Sequence, residues 1–126
     1  MKIKMICNLT IFLILTLGLN FSFACPGHDE VARKSYEIAK QLTQLIDKVP
    51  HAICAEDIKL AAAFINAAGL QVQGGQYNKA LTSLQLGQLE LQAITTTRDY
   101  CENFTKLIKP FIPEVILVIK QLSSLN

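Results

Sequence analysis

Apolar residues recur along the chain in four long stretches at helical spacing, separated by short polar or proline- and glycine-marked breaks. In the first, Val31, Ser35, Ile38, Leu42, Leu45 and Val49 follow one another at steps of three and four, widened by Ala39 and Ile46. That period predicts a bundle helix with one buried face over about 29–48. Asp29 suits its N-cap and Glu30 the positive end of its dipole, and Pro50 stops it. The second stretch places Ile58, Ala61, Ala62, Ile65, Ala68 and Val72 on one stripe and predicts a helix over 55–73. Its alanines let a neighbouring helix approach closely. Gly74-Gly75 ends it, with Gly74 the expected left-handed cap.

The third stretch runs from Tyr77 to Thr95, with Tyr77, Leu81, Leu84, Gln88, Leu91 and Ile94 near one face. Leu84, Leu86, Leu89 and Leu91 also hint at alternation, so a strand is the competing reading. Length and the scarcity of β-branched residues before Ile94 select the helix. Gly87 in its interior costs about 1 kcal/mol relative to alanine, a cost that close packing against the preceding helix would explain. A fourth helix is expected from Thr97, capped by Thr96 with Asp99 three residues on. Tyr100, Phe104, Leu107, Ile108 and Phe111 would be its apolar side, and Pro110 and Pro113 would kink or break it. A last helix then runs from about Pro113 to Leu122. Its segment 115–119, Val-Ile-Leu-Val-Ile, is apolar on every side and reads either as fully buried or as a partner or dimer surface.

Short connections make successive helices antiparallel neighbours. The fold class is therefore all-α: an antiparallel four-helix bundle with a proline-kinked fourth helix or a short fifth one. The first helix spans about 30 Å at 1.5 Å per residue, which sorts the cysteines by position. Cys25 lies at one end of the bundle, and Cys54 and Cys101 lie together at the other. A Cys54–Cys101 disulfide is expected, with two buried free thiols as the alternative. Closing a loop of this length contributes about 4 kcal/mol in the chain-entropy model.

The first 24 residues differ from the rest. Lys2 and Lys4 precede an apolar run from Ile11 to Leu19, followed by small residues at Ser22 and Ala24. These are the parts of an export signal. The run, at about ten residues, is too short for a bilayer span of about 20. Residues 1–24 thus read as a signal peptide, and 25–126 as one helical domain. An uncleaved anchor or an N-terminal core helix is the alternative. Of the four cysteines, Cys7 leaves with the signal. Pairing Cys54 with Cys101 leaves Cys25 over, at the first position after the cut. Ser22-Phe23-Ala24-Cys25 resembles the lipobox of bacterial lipoproteins at Ala24 and Cys25. It departs from that motif at Ser22, where leucine is preferred, and at Phe23, where a smaller residue is usual. The resemblance implies acylation of Cys25 and a membrane tether. Ordinary secretion, with Cys25 free or bonded between molecules, is the other reading.

Charge narrows the partners. Two of the 12 basic side chains, Lys2 and Lys4, belong to the signal, so the domain balances its 10 acidic groups. A neutral domain without tryptophan offers no nucleic-acid footprint. Candidate chemistry is sparse. Cys25 and His28 with His51 and Cys54 have zinc-compatible residue types, but the first helix separates the two pairs by about 30 Å. No carboxylate–histidine set at helical spacing, haem-attachment motif or other cofactor motif is present. Glu90 is the only carboxylate on the third helix, and no catalytic residues are assigned. His51 beside Cys54 is the best base–thiol pair, and a structural disulfide competes with it. Asn103-Phe104-Thr105 is a glycosylation sequon on an expected helix, read as chance.

Ala68, then Gly75-Gln76-Tyr77-Asn78-Lys79-Ala80-Leu81 and Leu84, resembles the centre of a tetratricopeptide repeat. Gly75, Tyr77 and Ala80 match that family's turn glycine, aromatic and small residue. Ala68 stands where glycine is common, Gln71 replaces an aromatic, and no proline closes the unit. The likeness covers about 30 residues without a second copy, whereas arrays need at least three. It implies a helical hairpin and protein binding. The sequence thus leads to an exported binding protein, such as a lipid-anchored accessory subunit acting on another exported or envelope protein. The alternatives are a secreted inhibitor or immunity-type protein and a small helical secreted enzyme. Oligomeric state is left open.

Overall fold

A computed structural model describes residues 26–125, which are helical throughout apart from short turns. In chain order the elements are α1 (Pro26–Ile46), α2 (Ala52–Gln73), α3 (Tyr77–Thr96), a 3-10 segment (Asp99–Phe104), the one-turn α4 (Thr105–Ile108) and α5 (Phe111–Leu125). Helices α1, α2, α3 and α5 form the bundle. α2 packs on α1 and α3, and α5 closes the ring across α1 and α3. The segment 1–24 read as a signal, and Cys25, lie outside the described residues.

The stripes expected for α1 and α2 are the ones that form the core. Val31, Leu42, Ile58, Ala61, Ile65 and Ala68 are fully buried, and Leu45 and Ile46 pack partly buried against them. Buried Ser35 is satisfied within its own helix, its hydroxyl donating to the Val31 carbonyl at 2.8 Å. In α3, Leu84 and Leu91 are buried while Leu86 and Leu89 are exposed. A separation of seven residues is two helical turns, so the helical reading holds and the alternating strand does not.

Helix ends depart from expectation in ways that local chemistry explains. α1 begins at Pro26, whose missing N–H costs nothing in a first turn. Asp29 is therefore inside that turn rather than capping it. α2 begins at Ala52, three residues early, because the His51 ring supplies the cap. At the α2–α3 turn Gly74 has φ −82°. The left-handed residue is Gly75, at φ +75°. Gly75 and Gln76 donate back to the Val72 and Gln71 carbonyls, closing the end of α2.

The largest difference follows α3. No long fourth helix starts at Thr97. The Thr96 hydroxyl donates backwards to the Gln92 carbonyl instead of capping forward, and residues 99–108 form only the 3-10 segment and α4. Pro110 ends α4, and the fourth bundle helix is the C-terminal α5. Pro113 sits in its first turn, where a proline is tolerated. The expected long and short helices have therefore exchanged places. On the 115–119 segment, Val115 and Val118 are buried but Leu117 is 64% exposed, which excludes the fully buried reading.

Close approach to α2 is built on glycine. A Cβ on Gly87 would lie 2.7 Å from Ile65 Cγ1 and 3.6 Å from the Ala61 carbonyl oxygen, and one on Gly69 would lie 2.6 Å from the Tyr36 ring. Lys34 pairs with Glu30 of its own helix at 3.3 Å and donates across the seam between α1 and α5 to the Gln121 Oε1 at 3.3 Å. Gln121 Nε2 in turn donates to Glu30 at 3.1 Å. Its hydrogen bond with Lys34, then the Lys34 charge, hold the Glu30 carboxyl below the usual carboxylate range. Gly87→Ala is expected to destabilise the fold by about 1–3 kcal/mol through overpacking, despite alanine's higher helix propensity. Urea unfolding measures the loss, and Ile65→Ala, which removes the clashing Cγ1, is expected to cost less in the Gly87→Ala chain than in the native one.

Candidate functional site

The densest cluster of chemistry-bearing side chains lies where α2 begins and α3 ends. Cys54, in the first turn of α2, is joined by a disulfide to Cys101 of the 3-10 segment, with Cα atoms 5.4 Å apart. Both cysteines are fully buried. The expected bond is thus formed, and it consumes the thiol that His51 would have activated. His51 has another task. Its Nδ1 accepts from the Cys54 backbone N–H at 3.3 Å, capping α2. Its ring stacks on Tyr100, with centroids 5.5 Å apart and planes 14° apart.

Around this pair runs a charged network. Arg98 Nη1 lies 2.6 Å from Asp57 Oδ2 and 3.0 Å from Glu90 Oε1. The Tyr100 hydroxyl donates to Asp57 and accepts from Arg98 at 3.3 Å. The hydrogen bond to Asp57, followed by that to Tyr100, pushes the Arg98 guanidinium pKa up, fixing its charge. Donation to Asp57 likewise pushes the Tyr100 phenol up. One cation thus serves two carboxylates drawn from α2 and α3. Together with the disulfide it ties the connector after α3 to both helices. The donors and acceptors are turned on one another, which suits a lock on the connector's position.

The other candidate positions lie apart. His28 is buried near the start of α1, stacked on Tyr77 at 4.1 Å. It stands a helix length from His51 and Cys54, so the three candidate zinc ligands among the described residues are not brought together. Among the described residues no group of three or more histidine, cysteine or acidic side chains is placed to hold a metal ion. Asn103 is exposed on the 3-10 segment rather than on an α-helix. No described helix is long and apolar enough to cross a membrane.

No protein-family model, curated protein or solved structure matches this chain. The site is therefore read from its own geometry. Sequence spacing singled out His51, Cys54, Glu90 and Cys101 in this cluster. It gave Arg98 no role and Asp57 only a place near the start of α2 where the helix dipole favours a carboxylate, and it placed Tyr100 on an apolar helix face, because the partners are more than 30 residues apart in two of the four pairings. Arg98 is the one basic residue near the end of α3, and that alone could have pointed to Glu90 eight residues earlier.

Two outcomes follow. Replacing both Cys54 and Cys101 with alanine is expected to cost up to about 4 kcal/mol in urea unfolding, and non-reducing peptide mapping of the native protein should return the Cys54–Cys101 peptide pair. Tyr100 contributes a pH dependence on the alkaline side. Because its folded pKa is raised, its bond to Asp57 contributes below the unfolded value of about 10. That contribution is lost as pH rises through the higher folded value. The stability difference between the native protein and Tyr100→Phe should be flat from about pH 7 to about pH 10 and shrink above it.

Proposed function

We propose that the protein is an exported helical binding protein, held at a membrane surface by a lipid on Cys25 and acting as an accessory to another exported or envelope protein. The observation that carries this reading is the disposition of the cysteines. Cys54 and Cys101 are bonded to each other in the core, as suits an oxidising compartment. Cys25, next to the first residue of α1, is the remaining cysteine of the exported chain. α1 has 21 residues, about 30 Å of helix, so a tether before Pro26 would stand at the end of the bundle remote from the disulfide. The far end then faces away from the anchor and presents exposed Ile53 and Tyr100 beside the lock. The helical hairpin of α2 and α3, with its tetratricopeptide-like turn, agrees with a role in protein binding.

A second reading, free secretion as an inhibitor or immunity-type protein, is favoured by Ser22 and Phe23, which depart from the lipobox. Labelled palmitate decides between them. In a bacterial host the native chain is expected to take up label and fractionate with membranes, and Cys25→Ser to do neither. An unlabelled soluble chain lacking residues 1–24 supports free secretion. An unlabelled chain that keeps them overturns both readings.

A further inference from the structure

One face of α5 is left uncovered by the bundle. Val115, Val118 and Leu122 turn inward, and Leu117 turns out with 64% of its surface exposed. A single exposed leucine is ordinary, but this one stands beside a groove of about 220 Å³ between α1 and α5. Lys34, Ile38 and Gln41 line it from α1, and Glu114 and Val118 line it with Leu117 from α5. The charges on the same face are arranged symmetrically. Glu114 precedes Leu117 by three residues and Lys120 follows it by three. Both are exposed, and neither belongs to the ion pairs among the described residues. Glu37, the other carboxylate on the rim, is already paired with Arg33 at 3.3 Å.

We infer that this face binds a second copy of the chain, α5 against α5 and antiparallel, across a two-fold axis passing at Leu117. Such an axis reverses the helix direction and sets Leu117 against Leu117 at the mouths of the two grooves. Glu114 and Lys120 each lie about 4.5 Å from the axis along the helix. Reversal therefore brings Glu114 of each copy to the level of Lys120 of the other, twice, which is the self-complementarity an isologous contact requires. Lys34, bonded to Gln121 one turn beyond Leu117, adds positive charge on the side that the incoming Glu114 approaches. A parallel pairing would instead set Glu114 against Glu114 and Lys120 against Lys120. The 15 residues of α5 make a contact about 22 Å long. This is a small interface, of the class below about 1,200 Å² that assembles weakly and reversibly. The inference needs only α1 and α5 and is independent of export or lipidation.

Sedimentation equilibrium of the purified protein from micromolar to millimolar concentration tests it. A monomer–dimer equilibrium is expected. Glu114→Lys or Lys120→Glu alone should weaken it by about tenfold or more, since each places like charges together. The two combined should restore it. Both positions are exposed on a helix, and far-UV circular dichroism checks that each variant keeps its fold. A chain that stays monomeric at millimolar concentration, whether or not another protein covers Leu117, overturns the inference. So does a dimer indifferent to the single reversals, or a double reversal as weak as either single one.

Discussion

The constraint on which the rest of this structure depends is the closeness with which α2 is approached from both sides. Gly69 receives the ring of Tyr36 from α1, and Gly87 of α3 receives Ile65 from α2. Alanines 61, 62 and 68 line the same surface. Dispersion contacts fade within an ångström of radial gap, so glycine and alanine at these points convert a loose array of helices into a packed one. Once α1 and α3 are seated on α2, the trough between them is fixed in width, and α5 fills it with Val115, Val118 and Leu122.

The second organising element is the tie after α3. Residues 99–108 bury few large side chains of their own, chiefly Cys101 and Ile108. The disulfide, the Arg98 network and the His51–Tyr100 stack compensate. They hold the connector to α2 and α3 and so determine where α5 starts. The fold is thus positioned by packing at its centre and by covalent and charged contacts at one end.

Periodicity exposed the helices because their cores are regular. The stripes of α1 and α2 are read correctly from spacing alone, and Gly87 from its cost in a helix interior. The cysteine pairing was legible because antiparallel passes carry Cys54 and Cys101 to the same end. The connector was not legible. Thr96 and Asp99 have the spacing of a helix start, but the buried Cys101 and the ion pairs of Arg98 hold the segment in a tighter turn than the cap would launch. Arg98, Asp57 and Tyr100 stayed hidden for a related reason. Their bonds join residues from different elements, and a single sequence gives no sign of such pairings. The left-handed turn fell on Gly75 rather than Gly74, a choice between adjacent glycines that sequence alone does not make.

The disulfide loop encloses α2 and α3 and leaves α1 and α5 outside it, joined to each other by the Glu30–Lys34–Gln121 clamp. That division has a mechanical meaning. A pull applied at Pro26 enters the molecule through the first turns of α1, where Gly27 lies against Leu125 at the end of α5. Load therefore falls first on a non-covalent seam with two polar contacts, Lys34–Gln121 and Gln121–Glu30, and some apolar packing. The cross-linked hairpin lies further along the force path. Under tension the molecule would yield at the α1–α5 seam, while the two helices inside the loop stayed together.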